Sequence, residues 1–428
     1  MQFAVHRLFG KLAGQHAALW ELPALAAGPT GKQKSPVIIG QDDSDIRPEA
    51  IGVDTIVIHW TSKNLYPDFA RLSGSVQKLV RIHYNARLYI YVMSKFSEHR
   101  LRLIRPHFLF PGLALLWALA GVTALSSGSA DISAAQVWAS LTGDAPDNIR
   151  RLVVELRLPR ALTAFGVGGL LAVSGVLMQV LLRNPLAEPY ILGSSGGAAV
   201  AALLTMTFGL GALAVDIAAF GGAMAATLLV FSIAKGSGSW TPTRLLLTGV
   251  VLAAGFSAAT TLLLALSPDQ NLRGMLFWLM GDLNYAYAPT QSLWVLGAIT
   301  LGGLLYARNL NVLARGDLQA AIVGLPVSGF RLLVFSVTAL ATAISVTTVG
   351  VIGFIGLIVP HLIRIVAGSD HRIVLPASAL AGGMLLVVAD TLARTVLAPR
   401  QLPVGALTAT LGVPLFLILM SRYRVRDN

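Results

Sequence analysis

The chain is 428 residues long, 55% of them hydrophobic and only 12% charged, with a mean hydropathy of +0.71. A soluble domain carries about 25% charged residues, so this chain cannot cover a soluble globular surface and takes lipid as most of its solvent. Its net charge of +12 does not point to nucleic acid, because the basic residues lie mostly between apolar runs, and the absence of cysteine excludes disulfides and thiolate metal sites.

Residues 1–92 are polar and mixed, with an acidic patch at Asp42, Asp43 and Asp45 and no run long enough to span a bilayer. Residues 53–58 suit one short strand. Met1 to Gly14 lack the apolar core of a cleavable signal. The stretch 28–33 resembles a nucleotide loop only superficially, because Ala26 stands where the first Gly belongs and Gln33 replaces Ser or Thr. Met93 then opens a short basic segment (Lys95, Arg100, Arg102, Arg105) before the first apolar run. Met93 is therefore read as the natural start, with 1–92 a polar extension and 93–428 the membrane domain. The rival reading is a cytoplasmic tail or small regulatory domain.

From Phe108 onward the pattern predicts ten spans, at 108–126, 161–182, 190–213, 216–234, 244–266, 289–307, 331–350, 352–367, 374–397 and 403–421. Each approaches the roughly 20 apolar residues a crossing needs. The fold class is an all-α polytopic membrane protein with both ends on one side. With the N-terminus cytoplasmic, 15 Lys and Arg from Met93 onward fall in cytoplasmic segments and 7 in external ones, the expected bias. Four of the seven are Arg150, Arg151, Arg157 and Arg160, in the first external loop. Gly and Pro inside the spans, such as Gly175, Gly356 and Pro360, point to a compact bundle with close helix crossings.

Arg157-Leu158-Pro159-Arg160 places two arginines against the sidedness rule, three apart and on one face of a helical turn. Arg394 lies near the external end of the ninth span, with Asp390 four residues earlier in position for an intrahelical pair. The functional reading is a dock for an acidic partner outside the membrane; the bland one is snorkelling to headgroups. Arg183-Asn184-Pro185-Leu186-Ala187-Glu188-Pro189 is a tight cytoplasmic turn, and Gly193 with Gly197 gives a small face for close packing. Residues 316–331 read as two short amphipathic helices joined at 324–326, suited to insertion into a partner's groove or to lying at the interface. His361 and His371, ten apart with Arg364 between, match no zinc spacing and read as a polar helix end. The chain shows no catalytic, cofactor or metal constellation. Almost no ionisable residue besides Asp390 lies inside a span, against the midplane acids of an ion-coupled secondary transporter, the alternative reading.

Arg157-Leu-Pro-Arg160, the Arg183–Pro189 turn, 350–361, Asp370-His-Arg372, 389–394 and Leu402-Pro-Val-Gly405 together resemble the FecCD-type permeases of binding-protein-dependent ABC importers for iron-siderophores, haem and vitamin B12. The resemblance covers about 108–428. It implies a ten-helix subunit, paired with a second copy of itself in the bacterial inner membrane, with the substrate path along the dimer axis. It implies a cytoplasmic ATPase dimer that holds ATP and Mg, so that this chain needs no cofactor. It also implies a periplasmic or surface-tethered binding protein whose glutamates meet Arg157, Arg160 and Arg394. Asp317, Gln319, Ala320, Gly324 and Pro326 fall in the segment that contacts the ATPase; Gln319 departs there from the family's usual acidic residue before alanine. Thr241, Pro242 and Thr243 occupy the cytoplasmic gate, where Pro242 departs from the small hydroxyl residues of relatives.

Overall fold

A computed structural model describes residues 106–424, apart from 129, 131, 237–240 and 285–288. The expectations for 1–92 and for a start at Met93 lie outside the described residues. Each of the ten expected segments contains a helix. The first is α1 (Pro106–Ser126). Next come α2 (Ala134–Thr142) and α3 (Asp147–Arg150), and a π-helical stretch, Arg151–Arg157, runs directly into α4 (Leu158–Leu182). A 3-10 turn at Pro189–Leu192 precedes α5 (Ser194–Thr207), followed by α6 (Ala212–Lys235), α7 (Pro242–Leu266) and α8 (Asp269–Leu279). Then follow α9 (Pro289–Leu305), α10 (Ala307–Leu313), α11 (Asp317–Ile322), α12 (Val327–Val349), α13 (Ile355–Ala367), α14 (His371–Thr395) and α15 (Val404–Arg424).

Among the described residues, six helical runs are long and apolar enough to cross a bilayer: α1, the continuous 147–182 run, α6, α7, α12 and α14. α9 passes the same test only together with α10, from which it is bent by 68°. α5 and α13 have 14 and 13 residues, about 20 Å of helix, short of the roughly 30 Å hydrocarbon core. Each is preceded by backbone outside the α-helical form. The expected second short helix of 316–331 is absent: after α11 the chain turns at 324–326, and Val327 already belongs to the first turn of the 23-residue α12.

α4 is the centre of the bundle. It packs against α1, α9, α12, α13 and α14, and 94% of its most apolar window is buried, against 6% for α7. Lipid supplies no hydrophobic force between helices, so their contacts rest on close packing. At the α4–α14 crossing Gly168 meets Gly382, and at the α4–α13 crossing Gly175 meets Gly356, backbone against backbone. Hydroxyls inside these helices can bond to their own preceding turn. Ser174 donates to Leu170 O (2.7 Å) and Thr342 to Thr338 O (2.7 Å), so burial leaves neither donor unmet.

Candidate functional site

One end of the bundle is organised around Asp390, which is 3% exposed. Arg160, in the first turn of α4, straddles this carboxylate with Nε at 3.0 and 3.1 Å and Nη2 at 2.7 Å. Its Nη1 donates to Asn284 Oδ1 at 2.6 Å, and Asn284 is held in turn by Asp282. Arg394, one turn beyond Asp390 on α14, shares Asp390 Oδ2 at 3.2 Å, the intrahelical pair its spacing allows. It also donates to Ala124 O (3.1 Å) and Ser127 O (3.3 Å) at the end of α1.

Arg157 turns away from this pair. It is 6% exposed and donates to Leu125 O (2.7 Å), Ser126 O (2.8 Å) and Ala130 O (2.7 Å). A helix leaves its last four carbonyls without intrahelical partners and carries partial negative charge there, so a guanidinium is a fitting cap for α1. Gly128 makes room for it: a Cβ at that position would lie 2.7 Å from Arg157 Nη2. The expected common face of Arg157 and Arg160 is not formed. The structure instead brings all three arginines to the junction of α1, α4 and α14 as internal clamps, with Arg160 and Arg394 keeping 16% and 11% of their side-chain surface exposed. Asp390 answers two guanidiniums with one carboxylate, so the junction retains excess positive charge.

The opposite end of α4 carries the second set. Asp317 begins α11 and pairs with Arg331 of α12 (3.0 Å) and with Arg183 (3.6 Å), the residue that ends α4. Gly316, at φ 120°, and Gly324, at φ 86°, bracket α11 with conformations that side chains disfavour. Ala320 is buried beneath the helix, whereas Gln319, Gly324 and Pro326 are exposed or half-buried. Leu318, Ile322 and Val323 are 76%, 76% and 72% exposed. All three lie within the 316–331 segment expected to meet a partner, and the spacing of Leu318 and Ile322 places both on one face. In the nearby turn before α14, burial pushes the Asp370 carboxyl up. Hydrogen bonds from Asn311 and the Arg372 amide, with the charges of Arg372 and His371, outweigh burial and hold it below the ordinary carboxylate range.

Between the two ends, the irregular segments before α5 and α13 meet. Glu188 accepts the Phe354 amide at 2.8 Å, and the Tyr190 hydroxyl accepts that of Ile352 at 3.4 Å. Backbone outside a helix is tolerated at membrane depth where protein satisfies it. Arg364 does not form a solvated helix end: it donates to Gln179 of α4, while His361 is buried. Thr241 caps α7 by accepting the Arg244 amide (3.3 Å), and Pro242 takes the first helical position, where a missing N–H costs nothing. Among the described residues no three His, Asp or Glu side chains gather in a way that fits a metal ion.

Residues 115–422 match the FecCD transport family. The hemin transport system permease protein HmuU of Yersinia pestis is 41% identical over 331 residues, covering 75% of this chain and 97% of that protein. The vitamin B12 import system permease protein BtuC of Citrobacter koseri is 38% identical over 318 residues, covering 73% of this chain and 93% of that protein. A solved structure of an inward-facing metal-chelate type ABC transporter aligns with a TM-score of 0.64 at 30% identity, over 74% of this chain and 99% of that one. With its all-helical, multi-pass architecture, its buried central helix and this match across nearly the whole membrane domain, the chain belongs to the FecCD transport family.

Proposed function

We propose that the chain is the membrane-spanning permease of an ABC importer for an iron chelate, haem or cobalamin, powered by ATP hydrolysis in a separate subunit. The observation that carries the arrangement is the uneven burial of its apolar helices. The most apolar window of α7 is 6% buried, and α15 exposes Leu411, Val413, Leu415 and Leu417. A second copy covering these faces would make a two-subunit path along the shared axis. The scarcity of charge along the spans suits a path that a large solute must leave as readily as it enters.

The Asp317 end is assigned to the cytoplasm, on the strength of the 15-to-7 charge asymmetry, and the termini with it. An ATPase dimer would seat on α11, whose protruding Leu318, Ile322 and Val323 fit a partner's groove. The gate is placed at Thr241, Pro242 and Thr243, at the start of α7. At the opposite face, a periplasmic binding protein would dock through its acidic residues on Arg160 and Arg394. Arg157 would support that surface by fixing the end of α1. ATP-driven closure of the ATPase pair would then exchange which side of the path is open.

Two measurements check this assignment. Leu318→Asp with Ile322→Asp is expected to weaken ATPase association by at least about a hundredfold, since each buried anchor contributes about 1.5–3 kcal/mol. Unchanged co-purification of the ATPase would remove α11 from that interface. Arg394→Gln keeps a polar side chain of similar width but loses the charge and the Nη donors to the α1 carbonyls. It should slow binding-protein association about tenfold at low salt, with the difference shrinking as salt is added. An on-rate insensitive to both changes would reject the docking role. In proteoliposomes, uptake driven by an ion gradient without ATP would overturn the importer reading itself.

A further inference from the structure

Arg183 ends α4 in the left-handed conformation, with φ 50° and ψ 37°. Helices commonly close this way, but with glycine or asparagine, because other side chains crowd the backbone there. An arginine held in that conformation implies that its side chain is needed. The side chain runs to Asp317, at the N-terminus of α11 (3.6 Å), and Asp317 also holds Arg331, on the first turns of α12 (3.0 Å). Gly316 lies in the crook of this arrangement: a Cβ there would sit 3.5 Å from Arg183 Nη1. Asp317 thus joins the short exposed α11 to two long helices. One of them, α4, is the helix around which the bundle is packed.

We infer that Asp317 is a positioning residue, a pivot that passes displacement of α11 to α4 and α12, and is not itself a contact to the ATPase. The inference rests on the reading of α11 as the ATPase-contacting segment. Its geometry separates two jobs within six residues. Leu318 and Ile322 face outward and are free to engage a partner, while the Asp317 carboxylate is turned to Arg183 and Arg331. α11 itself has six residues and is flanked by glycines at 316 and 324, so it can tilt as a unit. With the two ion pairs in place, tilting pulls on the end of α4 and on the 183–189 turn that follows it. With the carboxylate neutralised, α11 moves alone.

The chain contains no cysteine, so a single introduced cysteine is its one thiol, and labelling is read on the permease band alone. One probe is placed on α11 by Ala321→Cys and another on the turn after α4 by Leu186→Cys, each in the assembled complex with its ATPase subunits. Labelling rates are compared before and after the ATPase is trapped with ADP and vanadate by turnover of ATP. In the otherwise unsubstituted complex both probes should respond. With Asp317→Asn the Ala321 probe should still respond and the ATPase should remain bound, while the response at Leu186 falls about tenfold, the scale of a single coupling contact. Asp317→Glu should restore it. Arg183→Gln, which removes only the α4 branch, should silence Leu186 in the same way and serves if the Asp317→Asn chain does not fold. A Leu186 response that survives both substitutions overturns the pivot. Loss of the ATPase with Asp317→Asn would make Asp317 a direct contact and equally overturn it. A silent Ala321 probe in the unsubstituted complex would instead refute α11 as the ATPase-contacting segment, and the pivot with it.

Discussion

Asp390→Ala is expected to destabilise the permease by about 3–5 kcal/mol, the range for breaking a buried ion pair by removing one partner. Two guanidiniums would be left without their carboxylate in a junction where Arg160 and Arg394 have little access to water. The damage should spread to α1, only 28% buried along its apolar window and held at its end by Arg157 and Arg394. Thermal unfolding in detergent measures the loss. Arg394→Ala should cost less, because Asp390 would keep the two-oxygen contact from Arg160. A double substitution, Asp390→Ala with Arg160→Met, should recover part of the loss, since one stranded charge is gone. If Asp390→Ala unfolds within about a degree of the parent chain, the junction is not a structural clamp, because even 1 kcal/mol moves a domain of this class by about 2–4 °C.

Gly175→Ala is expected to be among the most damaging one-carbon changes at the described residues. Alanine favours a helix over glycine by about 1 kcal/mol, so local propensity predicts a gain. The crossing reverses the sign. A Cβ at 175 would collide with the Gly356 carbonyl oxygen and stand 2.6 Å from its carbon, and backbone cannot step aside as a rotamer can. Overpacking costs about 1–3 kcal/mol even where side chains yield. Here α4 and α13 would have to separate, and with them the contact between Glu188 and Phe354. Gly297→Ala on α9 is the control: nothing lies within 4 Å of the place its methyl group would take, and it should be neutral or gain up to about 1 kcal/mol. Equal effects at the two positions in a denaturation series would show that crossing distance does not govern this bundle.

Much of the architecture was legible in the residues alone. Each of the ten apolar runs contains a helix, because an apolar stretch in lipid must satisfy its backbone internally, though six runs alone are long and apolar enough to cross by themselves. The spacing of Asp390 and Arg394 announced their pair, since that signal acts within one turn. The arginines were legible as an anomaly and not as a geometry. The partner of Arg160 is 230 residues away on α14, and Arg157 is bound by carbonyls 27 to 32 residues upstream. A carbonyl leaves no mark on a sequence, so a guanidinium that caps a helix reads there as one that faces solvent.

The amino-acid order by itself determined that this is a lipid-solvated helical bundle, which segments enter the membrane and where breakers interrupt them. Those properties follow from transfer free energy and local dihedral preference, both of which act over neighbouring residues. Only the tertiary structure decided that the arginines close the junction at α1, that Asp317 joins three helices, and that α5 and α13 begin where Glu188 meets the Phe354 amide. Each of these depends on which distant helices cross, and in lipid that choice is made by small differences in how closely two backbones can approach.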